Sequence, residues 1–241
     1  MSTAASPSPI SVRPAATVMV VDDRPDLHVL LLRRRAASQF VPGMDVFPGG
    51  GVDPHDAAAA EAGDLDDARA SARLGIARGG LAYWTAAARE TFEEAGLRLA
   101  IDALHYAARW ITPPGPPRRY DTRFFAAALP AGQTAVADRA EAVHAEWVRP
   151  AQALADLAAG ARAMLPPTAG MLRILASYPS AAELLRAAAR AESAPDQVVR
   201  LATDGKGWTV LLPGEPVDAA TSARIAEMEA WVRLCPRAIE E

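Results

Sequence analysis

The chain has 241 residues, of which 51% are hydrophobic and 22% are charged, a balance that excludes global disorder and supplies a sizeable core. The 25 basic residues against 29 acidic ones give a net charge of -4, which argues against general nucleic-acid binding. The single cysteine excludes a disulfide framework and a cysteine-based zinc site. No apolar run approaches the roughly 20 residues that span a bilayer, and the N-terminus lacks the features of a signal peptide. We therefore expect a cytoplasmic protein without membrane or nucleic-acid partners.

The N-terminal part of the chain predicts a tail followed by strands. Residues 1–14 are rich in Ser, Pro and Ala, so we expect a disordered tail before one domain over residues 15–241. Two short apolar runs around a turn-like segment predict a hairpin, and a third strand precedes a glycine turn. The hairpin strands are Ala16–Val21 and His28–Leu32, the third strand is Met44–Phe47, and the turn is Gly49–Gly51.

The remaining elements mix helices and strands without a repeat. Residues 81–95 contain neither Pro nor Gly and predict a helix that ends at Gly96, where a positive φ costs glycine little. Residues 54–80 predict a short helix. The later elements are strands at Ala103–Ile111, Phe124–Leu129 and Glu141–Trp147, helices at Pro150–Ala159, Thr168–Ser177 and Ser180–Ala191, a hairpin over Val198–Leu212 that turns at Asp204-Gly205, and a final amphipathic helix at Ala219–Leu234. This order predicts an α/β fold with a layered sheet.

Three carboxylates crowd one face of the predicted helix over residues 81–95. At roughly 100° per residue, Glu90, Glu93 and Glu94 project within one arc of the helical surface. They repel one another, and they lie near the helix C-terminus, where the helix dipole disfavours negative charge. A solvated acidic face is the common interpretation of such a cluster. A hard cation such as Mg²⁺ or Mn²⁺ would instead use these oxygen ligands and cancel their repulsion.

At these residues the sequence resembles the Nudix hydrolases. The second half of their signature is matched by Arg89, Glu90, Glu93, Glu94, Gly96 and Leu97, with Thr91 in place of an aliphatic residue. The first half is matched by Gly50 and, five residues further on, by Asp56 in place of Glu. Residues 57–88 separate the two halves where the signature has seven residues, so we expect an insert at about residues 57–80. Gly75 stands at the nominal distance before Arg89, but Leu81 then occupies the glutamate position, which favours Gly50 as the signature glycine.

The long insert resembles the branch of the family that contains the peroxisomal coenzyme A diphosphatase and its bacterial relatives. The blocks Trp110–Pro113 and Arg118–Phe125 are similar to that branch as well. The coenzyme A signature of another branch is not seen in residues 36–46. The resemblance therefore implies a coenzyme A or acyl-coenzyme A substrate, with nucleoside triphosphates, ADP-ribose and dinucleotides as alternatives.

The resemblance implies a Nudix-like α/β/α sandwich with a mixed sheet and a C-terminal helical extension from about residue 165. It also implies a pyrophosphohydrolase that cleaves the diphosphate linkage of a small nucleoside diphosphate derivative with Mg²⁺ or Mn²⁺. The glutamates at 90, 93 and 94 would ligate the cation or orient water, Arg89 would hold them in place, and the carbonyl of Gly50 would add a ligand.

Other residues are candidates for binding substrate. A guanidinium suits phosphate, so Arg34 and Arg119 are assigned to it, although a surface role remains open for each. Glu141 or Glu146 would add a further carboxylate to the site, and Glu141 is the preferred candidate. The sequence leaves the oligomeric state open.

A ligand-sensing or scaffolding module that keeps the fold without catalysis is the rival function. All three glutamates are retained, which favours the enzyme. A regulator would also tend to carry a basic DNA-binding helix pair, whereas residues 192–241 contain nine acidic and five basic residues.

Overall fold

The computed structural model describes residues 10–37, 42–58, 65–203, 208–217, 225–226 and 229–237. Strands and helices alternate irregularly along the chain. The strands are β1 (Val12–Asp23), β2 (Leu27–Arg34), β3 (Asp45–Val46), β4 (Gly49–Gly51), β5 (His105–Ile111), β6 (Arg119–Ala128), β7 (Ala142–Val148), β8 (Gln197–Val198), β9 (Arg200–Thr203), β10 (Trp208–Leu211), β11 (Ile225–Ala226) and β12 (Ala230–Val232).

The helices are α1 (Asp67–Leu74), α2 (Leu81–Ala95), α3 (Pro150–Ala158), α4 (Pro166–Leu175) and α5 (Ala181–Ala191), with short 3-10 helices at Pro54–Ala58 and Ile101–Ala103. None of the helices that the structure describes is long and apolar enough to cross a membrane.

A nine-stranded mixed sheet forms the centre of the fold. Its main path runs β3-β2-β1-β6-β5-β12-β8, with β4 paired to β1 and β7 paired to β2. The β1–β6 pair is parallel and the other pairs are antiparallel. A second sheet has the order β10-β9-β11.

Helices cover both faces of the main sheet. Along β1, Val18 and Val20 face a core shared with α1 and α2, whereas Met19 and Val21 face a core shared with α4 and α5. This alternation follows from the period of two in a strand, and it accounts for a β1 that is apolar on both faces. The predicted α/β/α sandwich with a mixed sheet is therefore confirmed.

Most elements lie where the sequence predicts them. The hairpin β1–β2, the helix α2 ending at a left-handed Gly96 with φ 70°, and the helices α3 to α5 all agree. Strand β6 begins at Arg119, five residues before the predicted start at Phe124, because its polar first half pairs with the start of β1. The predicted hairpin over Val198–Leu212 is present as β9–β10, and its predicted turn lies outside the described residues.

Three predictions are wrong at particular residues. The tail was expected to reach residue 14, but β1 begins at Val12, where parallel pairing with β6 outweighs the local Ser/Pro composition. Gly49–Gly51 was expected to be a turn, but it pairs with β1 as β4. Residues 1–9 lie outside the described part of the chain.

The predicted C-terminal helix Ala219–Leu234 is the third error. The described residues in this range form β11 and β12, and β12 pairs with both β5 and β8 in the main sheet. An open sheet edge at β5 supplies backbone partners that the amphipathic pattern of the segment does not reveal, so tertiary pairing overrides local propensity.

The insert is joined firmly to the start of α2. The Asp67 carboxylate accepts the backbone N–H of Gly79 at 2.9 Å and of Leu81 at 3.0 Å. Gly80, at the N-cap of α2, has no side chain that could accept a hydrogen bond, so Asp67 supplies the acceptor for the start of the helix. A Cβ on Gly80 would lie 2.2 Å from the backbone nitrogen of Ser71, which shows how closely α1 packs on this turn.

Replacing Asp67 by Ala should therefore destabilise the protein. We expect a loss of about 1–2 kcal/mol in the free energy of unfolding, because two backbone donors at the start of α2 lose their acceptor. Asp67→Asn keeps one acceptor oxygen and should lose less, and Asp102→Ala on an exposed turn serves as the control. Urea unfolding measures the difference, and equal midpoints for Asp67→Ala and Asp102→Ala would show that this capping is not needed.

Candidate active site

Strand β4 approaches the acidic face of α2 as closely as a backbone can. A Cβ on Gly50 would lie 2.5 Å from Cδ of Glu90, and a Cβ on Gly49 would lie 2.4 Å from the carbonyl oxygen of Ala16. Gly49 also has φ 154°, a conformation that L side chains rarely adopt. Both positions therefore need glycine, one for its contact with the helix and one for its contact with β1.

A buried threonine fixes the chain just before β4. The Thr17 hydroxyl donates to the carbonyl of Pro48 at 2.6 Å, and Ala16 pairs with Gly50 across the β1–β4 ladder. The glycine strand is thus held by the sheet, and the acidic helix packs against a rigid surface.

Arg89 joins the two halves of the split motif. Its Nε and one terminal nitrogen donate to the two oxygens of Asp56 at 2.9 and 3.0 Å, and the same terminal nitrogen donates to the carbonyl of Gly51 at 3.0 Å. Its other terminal nitrogen donates to Glu90 at 2.9 Å and to Glu93 at 3.1 Å. These carboxylates raise the pKa of Arg89, so the guanidinium stays charged and orients two of the three glutamates.

Asp56 occupies the position at which the first half of the signature has Glu, and its side chain reaches Arg89. It is 2% exposed, it accepts the backbone N–H of Asp53 at 2.7 Å, and it contacts Arg89 although 33 positions separate the two residues. Gly75 instead ends α1 with φ 66°. The geometry therefore supports Gly50 and Asp56 as the first half of the motif.

Among the three glutamates of the acidic face, Glu94 is buried and Glu90 is partly buried. Glu94 is 5% exposed, and its Oε2 accepts the backbone N–H of Gly49 at 2.9 Å. Burial raises the pKa of Glu94 to about 8, against the lowering effects of that hydrogen bond and of Arg34. Burial also raises the pKa of Glu90, against the hydrogen bond from Arg89. Each would be stabilised as an anion by a cation in contact with it.

The other predicted residues differ in their placement. Glu93 is half exposed and contacts Arg89, but it is absent from the described residues that line the cleft. Arg34 lies between Glu94 Oε1 at 3.5 Å and Glu141 Oε2 at 3.1 Å. The negative charge of Glu141 contributes to the raised pKa values of both Glu90 and Glu94, so Glu141 belongs to the same cluster.

Two candidates do not reach the site. Arg119 donates to the carbonyl of Thr112 at 2.9 Å, and it is absent from the described residues that line the cleft, where Arg118 is present. Glu146 pairs with Arg162 at 2.9 Å and is absent from that lining as well. The assignment of Arg119 to phosphate is therefore not supported, because its guanidinium serves the β5–β6 connection.

A cleft of about 1120 Å³ opens from the carboxylates. At one end it is lined by β4, Glu90, Glu94, Glu141, Arg34 and Arg35. The other end is mostly apolar, and none of the described residues of the insert lines the cleft. The apolar end is lined by Phe47, Trp110, Ile111, Pro113, Pro114, Phe124, Leu165, Pro166, Pro167 and Leu201.

The wall formed by the start of α4 is a feature that sequence reasoning missed. A Cβ on Gly170 would lie 3.0 Å from the Trp110 ring, so α4 packs closely on β5 and brings residues 165–168 to the cleft. Two consecutive prolines directly before the predicted helix Thr168–Ser177 were the available signal, because proline is favoured in the first turn of a helix and α4 in fact begins at Pro166.

The donor chemistry fits a hard cation. No group of three or more acidic, histidine or cysteine side chains among the described residues converges closely enough to enclose a metal ion as placed. The glutamates pair with arginines instead, Glu90 and Glu93 with Arg89 and Glu94 with Arg34. The available donors are nevertheless carboxylate oxygens beside a strand whose backbone no side chain shields.

Comparisons with known proteins agree with this architecture. The NUDIX domain model matches residues 12–167. A NUDIX hydrolase from Alicyclobacillus acidocaldarius is 25% identical, with 73% of this chain and 96% of that chain covered and a TM-score of 0.61. An Ap4A hydrolase from C. elegans is 18% identical, with 67% and 93% covered and a TM-score of 0.43. No curated protein gives a match.

The fold and the site together define an α/β domain in which an acidic helix packs against a glycine strand and both line one cleft. The chain belongs to the NUDIX family, whose members are hydrolases that act on nucleoside diphosphate derivatives and generally use divalent metals.

Replacing Glu94 by Gln should make the protein more stable in alkaline solution without divalent cations. The pKa of Glu94 is raised from 4.5 to about 8 by folding, so ionisation of this buried group opposes folding as the pH rises between those values. The variant should match the native protein below pH 4.5 and exceed it above pH 8 by on the order of 1–3 kcal/mol. Thermal unfolding in EDTA from pH 4 to 9 measures this, and a constant difference across the range would contradict it.

Proposed function

We propose that the protein is a metal-dependent pyrophosphohydrolase whose reaction takes place at the carboxylate end of the cleft. The observation that carries this proposal is that Glu90, Glu94 and Glu141 line one cleft together with the glycine backbone of β4, while Arg89 orients Glu90 and Glu93. A non-catalytic sensing module would not require a buried and a partly buried carboxylate to face an open cleft at a cost in desolvation.

The roles follow from the contacts. Glu90, Glu93 and Glu94 would hold Mg²⁺ or Mn²⁺, with the Gly50 carbonyl as a further ligand, and Glu141 would add charge from β7. The cation would neutralise the diphosphate and lower the pKa of an attacking water. Addition of one water across the P–O–P linkage breaks one P–O bond and releases two phosphate monoesters.

The chain itself supplies position and charge. Asp56 fixes Arg89, and Arg89 holds the side chains of Glu90 and Glu93 in one orientation. Less conformational entropy is then lost when the reacting groups are brought into position. Arg34, Arg35 and Arg118 line the cleft and suit the phosphates of the substrate. Arg118 takes the phosphate role in place of Arg119.

We further propose coenzyme A or an acyl-coenzyme A as the substrate. The support is the resemblance of residues 110–125 to the coenzyme A diphosphatase branch and the position of that segment on the cleft wall. A long apolar end beside a carboxylate end suits a molecule that carries a diphosphate and an extended arm. A nucleoside triphosphate would leave that end unfilled, whereas ADP-ribose or a dinucleotide would place a polar ribose or nucleoside against it.

Replacing Glu93 or Glu94 by Gln should lower hydrolysis by at least about 10²-fold, because the anionic charge that a hard cation needs is removed. Glu90→Gln should behave similarly, and Glu141→Gln should cost less because Glu141, directly before β7, adds charge and is not one of the glutamates proposed to hold the cation. Glu183→Gln, on α5, is the matched control and should keep full activity. Phosphate release at limiting Mg²⁺ is the measurement, and near-normal rates for Glu93→Gln and Glu94→Gln would end the proposal.

The substrate is tested by comparing kcat/KM for coenzyme A, acetyl-coenzyme A, ADP-ribose, a dinucleoside polyphosphate and a nucleoside triphosphate with Mg²⁺ and with Mn²⁺. We expect the coenzyme A compounds to exceed the others by at least about 10-fold, because the arm fills the apolar end. Replacing Leu165 by Asp should remove most of that preference while leaving the smaller substrates little changed. A preference for ADP-ribose or a triphosphate would overturn the coenzyme A proposal and leave the hydrolase intact.

A further inference from the structure

Arg34 has an unusual set of partners at the carboxylate end of the cleft. It is the last residue of β2, and its side chain is 16% exposed. Its two terminal nitrogens lie 3.5 Å from Glu94 Oε1 and 3.1 Å from Glu141 Oε2, while its buried Nε has no hydrogen-bond partner among the described residues. The preceding Arg33 contrasts with it, because Nε and a terminal nitrogen of Arg33 both bind Asp45, at 2.8 and 2.9 Å.

The contact with Glu94 involves the oxygen that the protein backbone leaves free. Oε2 of Glu94 accepts the Gly49 N–H, and Oε1 faces Arg34. Glu141 likewise presents to Arg34 a carboxylate oxygen that would otherwise be available to a cation. A guanidinium and a divalent cation cannot both stay beside these oxygens without repulsion, which at about 4 Å in water corresponds to roughly tenfold or more in a binding constant.

The guanidinium is also suited to a second kind of partner. Its planar fork binds two oxygens of a phosphate through Nε and a terminal nitrogen. The Nε of Arg34 is buried and has no partner among the described residues, so a movement of the side chain towards a phosphate would give it one. Arg34 lines the cleft, so a diphosphate there lies within reach of its side chain.

We propose that Arg34 exchanges partners during the binding cycle: it moves away from Glu94 and Glu141 and binds a phosphate of the substrate. This exchange couples the binding of the cation to the binding of the diphosphate. This inference rests on the proposed function. Arg34 competes with the cation when no diphosphate is present, and it favours cation binding when a diphosphate draws it away.

The test is a titration of the full-length protein with Mn²⁺, followed by electron paramagnetic resonance, with and without methylenediphosphonate. Replacing Arg34 by Gln should tighten Mn²⁺ binding roughly tenfold in the absence of the diphosphonate, because the competing charge is gone. The same variant should lose most of the increase in Mn²⁺ affinity that the diphosphonate produces in the native protein. A purely structural role would weaken both measurements together.

Two further variants make the result decisive. Arg33→Gln removes a neighbouring charge that pairs with Asp45, and it should leave both measurements unchanged. Arg34→Lys keeps the charge without the fork, so Mn²⁺ affinity alone should stay near the native value while the effect of the diphosphonate falls. Unchanged or weaker Mn²⁺ binding by Arg34→Gln would overturn the exchange.

Failure of this inference can be told apart from failure of the proposed function. If Glu94→Gln abolishes Mn²⁺ binding and Arg34→Gln does not tighten it, the metal site stands and the exchange falls. If Glu94→Gln binds Mn²⁺ as the native protein does, the proposed metal site falls, and the exchange falls with it.

Discussion

The close approach of β4 to α2 is the constraint on which the rest of the structure depends. Gly50 brings backbone against the carboxylate of Glu90, and the Gly49 N–H binds the carboxylate of Glu94. A side chain at Gly50 would collide with Glu90 and separate strand from helix, and a side chain at Gly49 would collide with β1. Either change would displace the backbone that lies beside Glu90 and Glu94. Burial of an ionised Glu94 opposes folding, because the carboxylate loses its hydration, and it raises the pKa of that group. A local arrangement that opposes folding is typical of a site kept for binding or chemistry.

The acidic helix and its partners could be predicted from the sequence because their signals are local. Spacing of three and four residues places the glutamates on one face, and Gly96 ends the helix as a left-handed cap. The two halves of the split motif could be assigned only through the resemblance to the Nudix hydrolases. The contact between Asp56 and Arg89 supports that assignment. Thr91 fits in place of an aliphatic residue because its buried hydroxyl donates to the carbonyl of Ala87.

The errors have a different physical origin, since they depend on partners distant in the sequence. Residues 12–14 and 230–232 become strands because neighbouring strand edges offer them hydrogen bonds, which overrides their local composition. Arg118 and Arg119 are equivalent in sequence, but Arg118 lines the cleft, whereas Arg119, the first residue of β6, donates to the carbonyl of Thr112. The wall from α4 was missed because it forms through packing of Gly170 on Trp110.

The central claim is that β4 and the acidic face of α2 form one cation-binding unit. Anomalous diffraction from crystals soaked in Mn²⁺ with methylenediphosphonate tests it most directly, because it locates the ion independently of turnover. The account predicts an anomalous peak in contact with carboxylate oxygens of Glu90 and Glu94 and near the Gly50 carbonyl. A peak elsewhere on the protein, or no peak at that place when the ion binds in solution, would contradict it.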